Sequence, residues 1–162
     1  MDFQQRLAKA IERGQNVSEA KARARAEQEM TEEDFRRLHS QFRLPLTEHI
    51  ESCLRQLPDH FPGFRFSTVM DELGWGAAVS RDDVGRNDAP SGGRANYFSR
   101  LEVVVRPFSN LRVLEVAAKG TIRNKEVFNR SHYQRLTEAD SETFADMIDL
   151  WVLEYAELFA AS

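Results

Sequence analysis

The chain has 162 residues, of which 41% are hydrophobic and 30% charged, and its formal net charge is −4. That length holds one domain, or one domain and an arm, and the apolar fraction supports a real core rather than wholesale disorder. The charge excludes a strongly basic footprint for nucleic acid. The single cysteine, Cys53, excludes an intrachain disulfide and leaves a cysteine-based zinc site without support.

Asp2 to Arg13 reads as a short amphipathic helix with Phe3, Leu7, Ala10 and Ile11 on one face. Gly14, Gln15 and Asn16 are expected to break it. Ser18 to Met30 is nearly all Ala, Arg, Lys, Glu and Gln, so helix propensity is high but there is little to bury. Residues 1–30 are therefore expected to form a helical arm or connector, and 31–162 a single domain.

Thr31, followed by Glu32, Glu33 and Asp34, has the composition of a helix start. Phe35, Leu38, Phe42, Leu46, Ile50, Cys53, Leu54 and Leu57 then recur at helical spacing. Pro45 leaves two alternatives, one kinked helix or two helices with Thr47 capping the second.

Strand formers follow. Phe64 to Val69 alternates, and Trp75 to Val84 makes a second strand loosened by Gly74 and Gly76. Residues 85–96 are rich in turn formers and read as a loop, a potential lid over the sheet. Tyr97 to Arg106 places Leu101, Val103 and Val105 on one face and Arg100, Glu102 and Arg106 on the other. Leu111 to Ala118 is the next strand, Gly120 a bulge, Asn124 to Glu126 a tight turn and Val127 to Tyr133 the last strand.

Turns this short imply antiparallel neighbours. Capping residues at Thr137 to Ser141 then open a helix that is apolar over most of its circumference from Phe144 to Ala161. The predicted fold is α+β: N-terminal helices, a four- to five-stranded antiparallel meander, and a C-terminal helix packed on one sheet face.

No enzyme template fits. The 85–93 glycines lack the Gly-Lys-Ser/Thr ending of a phosphate-binding loop, and Gly74 and Gly76 lack the third glycine of a dinucleotide fingerprint. His39 and His49, ten apart, suit no standard ligand pair. His49 and Cys53 stand i, i+4 on one helix face and can touch, yet Ile50 and Leu54 beside them favour a core role over a nucleophile–base dyad. His60 beside Asp59 reads as a capped helix exit. The neighbouring acids Asp71 and Glu72, and Asp82 and Asp83, point to opposite strand faces. No catalytic residue, metal site or cofactor is expected.

Two surfaces remain. The last hairpin gathers Arg123, Lys125, Arg130 and His132, to which the 85–96 loop adds Arg94; with interleaved aromatics these suit a phosphate or single-stranded nucleic acid. The last helix carries Trp151, Tyr155, Leu158 and Phe159 beyond what the sheet alone requires, which suits either packing against the Phe35–Leu57 helical region or a protein interface. From Arg135 onward one basic residue stands against seven acids, so pairing between this helix and the basic hairpin competes with recognition.

The leading expectation is a non-enzymatic interaction module that binds itself or another protein through its C-terminal and N-terminal helices. A phosphate- or nucleic-acid-binding sheet comes second, and a small enzyme with a pocket between sheet and helices third. No secretory leader and no membrane span is expected, since no run approaches ~18 consecutive apolar residues. The expected setting is cytoplasmic.

Overall fold

The computed structural model describes residues 2–86 and 94–162, without the side chains of Arg86, Arg94 and Ala95. Two compact units emerge, Met1–Arg37 and Leu38–Ser162.

In the first unit, α1 runs unbroken over Phe3–Glu29. Asp2 caps it, accepting from the Gln5 backbone N–H at 2.8 Å, while the Gln5 side chain reaches back to the Asp2 N–H. The expected break at Gly14 to Asn16 does not occur. One glycine costs a helix about 1 kcal/mol, and the strong helix formers on its C-terminal side outweigh that. A second helix, α2, covers Glu32–Arg55. Thr31 and Asp34 exchange hydrogen bonds of 3.0 and 3.2 Å at its start, a reciprocal cap. Hydrogen bonding to the Asp34 carboxylate, first from the Thr31 backbone N–H and then from the Thr31 side chain, holds that carboxyl below the usual carboxylate range.

Pro45 lies inside α2, so the choice between one helix and two resolves to one. Thr47 is not a cap; its hydroxyl donates to Arg43 O at 2.7 Å, one turn back. A short helix, α3 (Leu57–His60), follows.

The sheet is a meander of β1 (Arg65–Asp71), β2 (Gly74–Arg86), β3 (Arg94–Val105), β4 (Val113–Ile122) and β5 (Lys125–Arg135), all antiparallel and in sequence order. The loop expected over 85–96 is shorter: Gly85 pairs Ala95 and Arg86 pairs Arg94 across the ladder. The remainder, 87–93, with the lid reading placed on it, lies outside the described residues.

The turn joining β4 to β5 is Arg123 and Asn124, one residue earlier than expected, and both have positive φ, 49° and 70°. This is the two-residue hairpin turn whose twist matches the strands. Asn124 also extends the edge of β3: its N–H donates to Phe98 O and its Oδ1 accepts from Phe98 N–H, each at 2.8 Å. The bulge falls where the sequence puts it, between Gly120 and Thr121.

A 3₁₀ turn at Leu136–Glu138 leads to α4 (Ser141–Ala160), capped by Asp140. The core lies between one sheet face and the helices. Ala77, Val79, Leu101, Val103, Val105, Leu114, Val116, Ala118 and Phe128 supply the sheet side, all buried. Phe144, Ile148, Trp151, Val152 and Tyr155 supply α4, and Leu46, Ile50 and Leu54 supply α2. Arg43 stacks over Trp75 and Arg55 over Phe66, which sets α2 above β1 and β2. The opposite sheet face carries a smaller buried cluster of Val69, Ala78, Val104 and Ala117.

His39 is 2% exposed and its Nε2–H donates to Arg106 O at 3.0 Å, with Phe108 edge-on. Burial lowers its pKa and the Arg43 charge lowers it further, against the raising effect of the Arg106 carbonyl. The unfolded chain therefore takes up a proton at a higher pH than the folded one. Stability from this residue is complete above the ordinary histidine range and is lost as pH falls from about 6.5. Urea midpoints should drop between pH 7 and pH 5, and His39→Gln, which keeps a donor for Arg106 O, should flatten that slope. An unchanged slope would show that other groups carry it.

Candidate functional site

Between the end of α2, α3 and α4 lies a cleft of about 480 Å³. Leu57, Phe61, Val152, Leu153 and Ala156 give it apolar walls, and Cys53, Gln56, His60 and Asp149 contribute polar groups. The spacing on α2 sets His49 and Cys53 one turn apart on the same face, and Asp149 approaches from α4. His49 Nε2–H donates to Asp149 Oδ1 at 2.7 Å. The Cys53 thiol donates to the same oxygen at 3.3 Å, and its sulfur stands 3.6 Å from His49 Nε2. Three different donor atoms thus converge on one point.

This arrangement is not a cysteine protease triad. A relay would place histidine between thiol and carboxylate, using both ring nitrogens. Here Nε2 faces both partners, and the carboxylate oxygen touches the thiol directly. Burial pushes the Cys53 thiol up to about 12, and its hydrogen bond to Asp149 and that carboxylate's charge add to the effect. A thiol so protonated is a poor nucleophile.

The sequence anticipates the His49–Cys53 contact but assigns Cys53 to the core. The residue is half-buried and opens on the cleft. Asp149 was missed because it is 96 residues from Cys53 in the chain. No local pattern marked it, since Asp149 stands between buried Ile148 and exposed Leu150.

The basic residues of the hairpin lie in different surroundings. Arg130 forms a forked ion pair with Glu154 of α4, one arm at 2.8 Å. His132 points to the helix side, 5.3 Å from the Phe144 ring centroid, with Gln134 donating to its Nε2 at 3.3 Å. Arg123 lies over the Tyr97 ring at 4.6 Å and lines a second cleft of about 410 Å³ with Tyr97, Lys125, Val127 and Leu158. The side chain of Arg94 falls outside the described residues. Among the paired acids, Asp71 accepts from Leu73 N–H at 2.8 Å in the β1–β2 turn, and Asp83 pairs with Arg81 at 2.9 Å.

The proposed interface anchors on α4 also divide. Trp151 and Tyr155 are buried in the domain, because the sheet and α2 need both flanks of the helix. Phe159 packs edge-on against Phe61 and Phe64, with centroids 5.0 and 4.8 Å away. Leu158 is exposed and Phe159 partly so. The outward apolar residues of α4 are instead Leu150 and Leu153, each 64% exposed.

No helix among the described residues is long and apolar enough to cross a membrane. No family model, curated protein or solved structure matches this chain.

Proposed function

We propose that this chain is a non-enzymatic interaction module that associates with a second copy of itself through its exposed helical surfaces. The observation that carries the reading is α1. It is 27 residues long, about 40 Å at 1.5 Å per residue, and none of its residues is buried. Phe3, Leu7 and Ile11 stand one turn apart on one face, and Val17 is exposed further along. Helices in proteins draw most of their stability from packing an amphipathic face, and this face is available. The exposed Leu150 and Leu153 of α4 offer a second apolar surface.

Burying a leucine or isoleucine side chain is worth about 1.5–3 kcal/mol. The double variant Leu7→Glu/Ile11→Glu should therefore weaken association at least about 100-fold, at 1.4 kcal/mol per tenfold. Mass measured in solution across a concentration series is the test. The wild type should exceed monomer mass and the variant should not. A wild type that stays monomeric at high concentration removes self-association, and a variant that associates as before removes α1 from it.

Anion or nucleic-acid binding has less support. Arg123 and Lys125 share a cleft, whereas Arg130 is already paired with Glu154.

A further inference from the structure

We propose that His49, Cys53 and Asp149 form a transition-metal site, taking zinc in preference to calcium or magnesium, that clasps α2 to α4. The donor set is one nitrogen, one sulfur and one oxygen, whose ligand atoms all lie within 4.8 Å of one another. Zinc accepts all three donor types, whereas calcium and magnesium take oxygen ligands.

The spacing suits the ion. Around a tetrahedral zinc, with bonds of about 2.0 Å to nitrogen and oxygen and 2.3 Å to sulfur, ligand atoms stand about 3.3–3.6 Å apart. The Cys53 Sγ to His49 Nε2 separation is 3.6 Å and Cys53 Sγ to Asp149 Oδ1 is 3.3 Å. Only the His49 Nε2 to Asp149 Oδ1 pair, at 2.7 Å, must open. The His49 and Asp149 side chains are 34% and 45% exposed, so neither is locked in place.

Coordination balances in charge and protons. Cys53 gives its thiol proton to buffer, and the thiolate and the Asp149 carboxylate together neutralise the dication. His49 binds through its Nε2 lone pair, so its ring proton moves to Nδ1 by exchange with water. Three protein ligands leave a fourth position, and the cleft beside Cys53 and Asp149 has room there for water or a small ligand. The ligands come from two helices of the Leu38–Ser162 unit, so a bound ion would also link chain segments about a hundred residues apart.

The test is a cobalt(II) titration of the full-length, reduced, metal-stripped protein. Cobalt bound through Cys53 gives a near-ultraviolet thiolate-to-metal absorption band that saturates at one ion per chain, and added zinc abolishes it. Cys53→Ser should remove the band. His49→Gln and Asp149→Asn should each weaken cobalt binding by at least about tenfold, the lower end of what even an outer-shell ligand partner is worth. Far-ultraviolet circular dichroism of each variant establishes that it is folded. Two results would overturn the site: no thiolate band in the wild type under excess cobalt, or wild-type affinity kept by folded His49→Gln and Asp149→Asn, which would make Cys53 a lone thiol.

Discussion

Gly76→Ala should unfold the sheet domain or leave it close to unfolding. A Cβ on Gly76 would sit 2.0 Å from Val103 O, 2.8 Å from Val104 Cα and 2.9 Å from Val103 C. All three are backbone atoms of β3, so no side chain can turn aside to make room. Gly76 occupies one cross-strand row with Val69, Val104, Ala117 and Ser131, and that row crosses all five strands. The expected loss is about 4 kcal/mol or more, in the range reserved for strain and overpacking. Domains of this kind hold about 5–15 kcal/mol in all. The control is Gly14→Ala, where an added Cβ meets nothing within 4 Å. There the substitution should raise the helicity of α1, because alanine in a helix interior is favoured over glycine by about 1 kcal/mol. Urea titration followed by tryptophan fluorescence reads the first, and circular dichroism the second. A Gly76→Ala protein with the wild-type midpoint would refute the close approach of β2 and β3.

The same glycine shows what the sequence could and could not convey. Period-two alternation at Leu101, Val103 and Val105 identified β3 and its inner face correctly, since all three are fully buried. Short turns identified the antiparallel order. Gly74 and Gly76, however, looked like weaknesses in β2, when their role is to let another backbone come near. That requirement belongs to the neighbouring strand and leaves no local pattern. The loop over 85–96 was overestimated for a related reason: Gly85, Ala95 and Asn96 are poor strand formers individually, yet the ladder pairs them regardless. The candidate site was half legible. His49 and Cys53 share a helix face by spacing alone, but Asp149 joins them only when α2 and α4 lie side by side. The double-sided apolar surface of α4 was legible, and its second side was open between the Phe35–Leu57 helical region and a second molecule. One flank meets the sheet and another meets α2, which takes Trp151 and Tyr155 out of reach of any partner.

Tyr155→Ala should destabilise the domain by about 3–5 kcal/mol, the usual cost of removing a buried aromatic ring. Tyr155 is 1% exposed. Its ring meets Phe64 and Phe128 edge-on, with centroids 6.4 Å away, and stacks with Phe159 at 6.3 Å. Its burial also raises the pKa of the phenol, which stays a donor throughout the working range. The hydroxyl donates to Thr121 O at 2.8 Å, beside the bulge where the β4–β5 register shifts. A bulge disrupts its ladder locally, and α4 supplies a donor there. Gly120 makes the approach possible, since a Cβ there would lie 3.1 Å from both the Tyr155 and Phe128 rings. Tyr155→Phe should keep the packing and lose only the hydrogen bond, at about 1 kcal/mol. Leu150→Ala and Leu153→Ala, on the exposed side of the same helix, should change stability by less than about 0.5 kcal/mol. Denaturation midpoints and solution mass, measured on all four variants, then separate fold from assembly. Loss of stability in Tyr155→Ala fits a core residue. A Tyr155→Ala protein of wild-type stability but reduced mass would instead return the ring to the interface that the sequence first suggested.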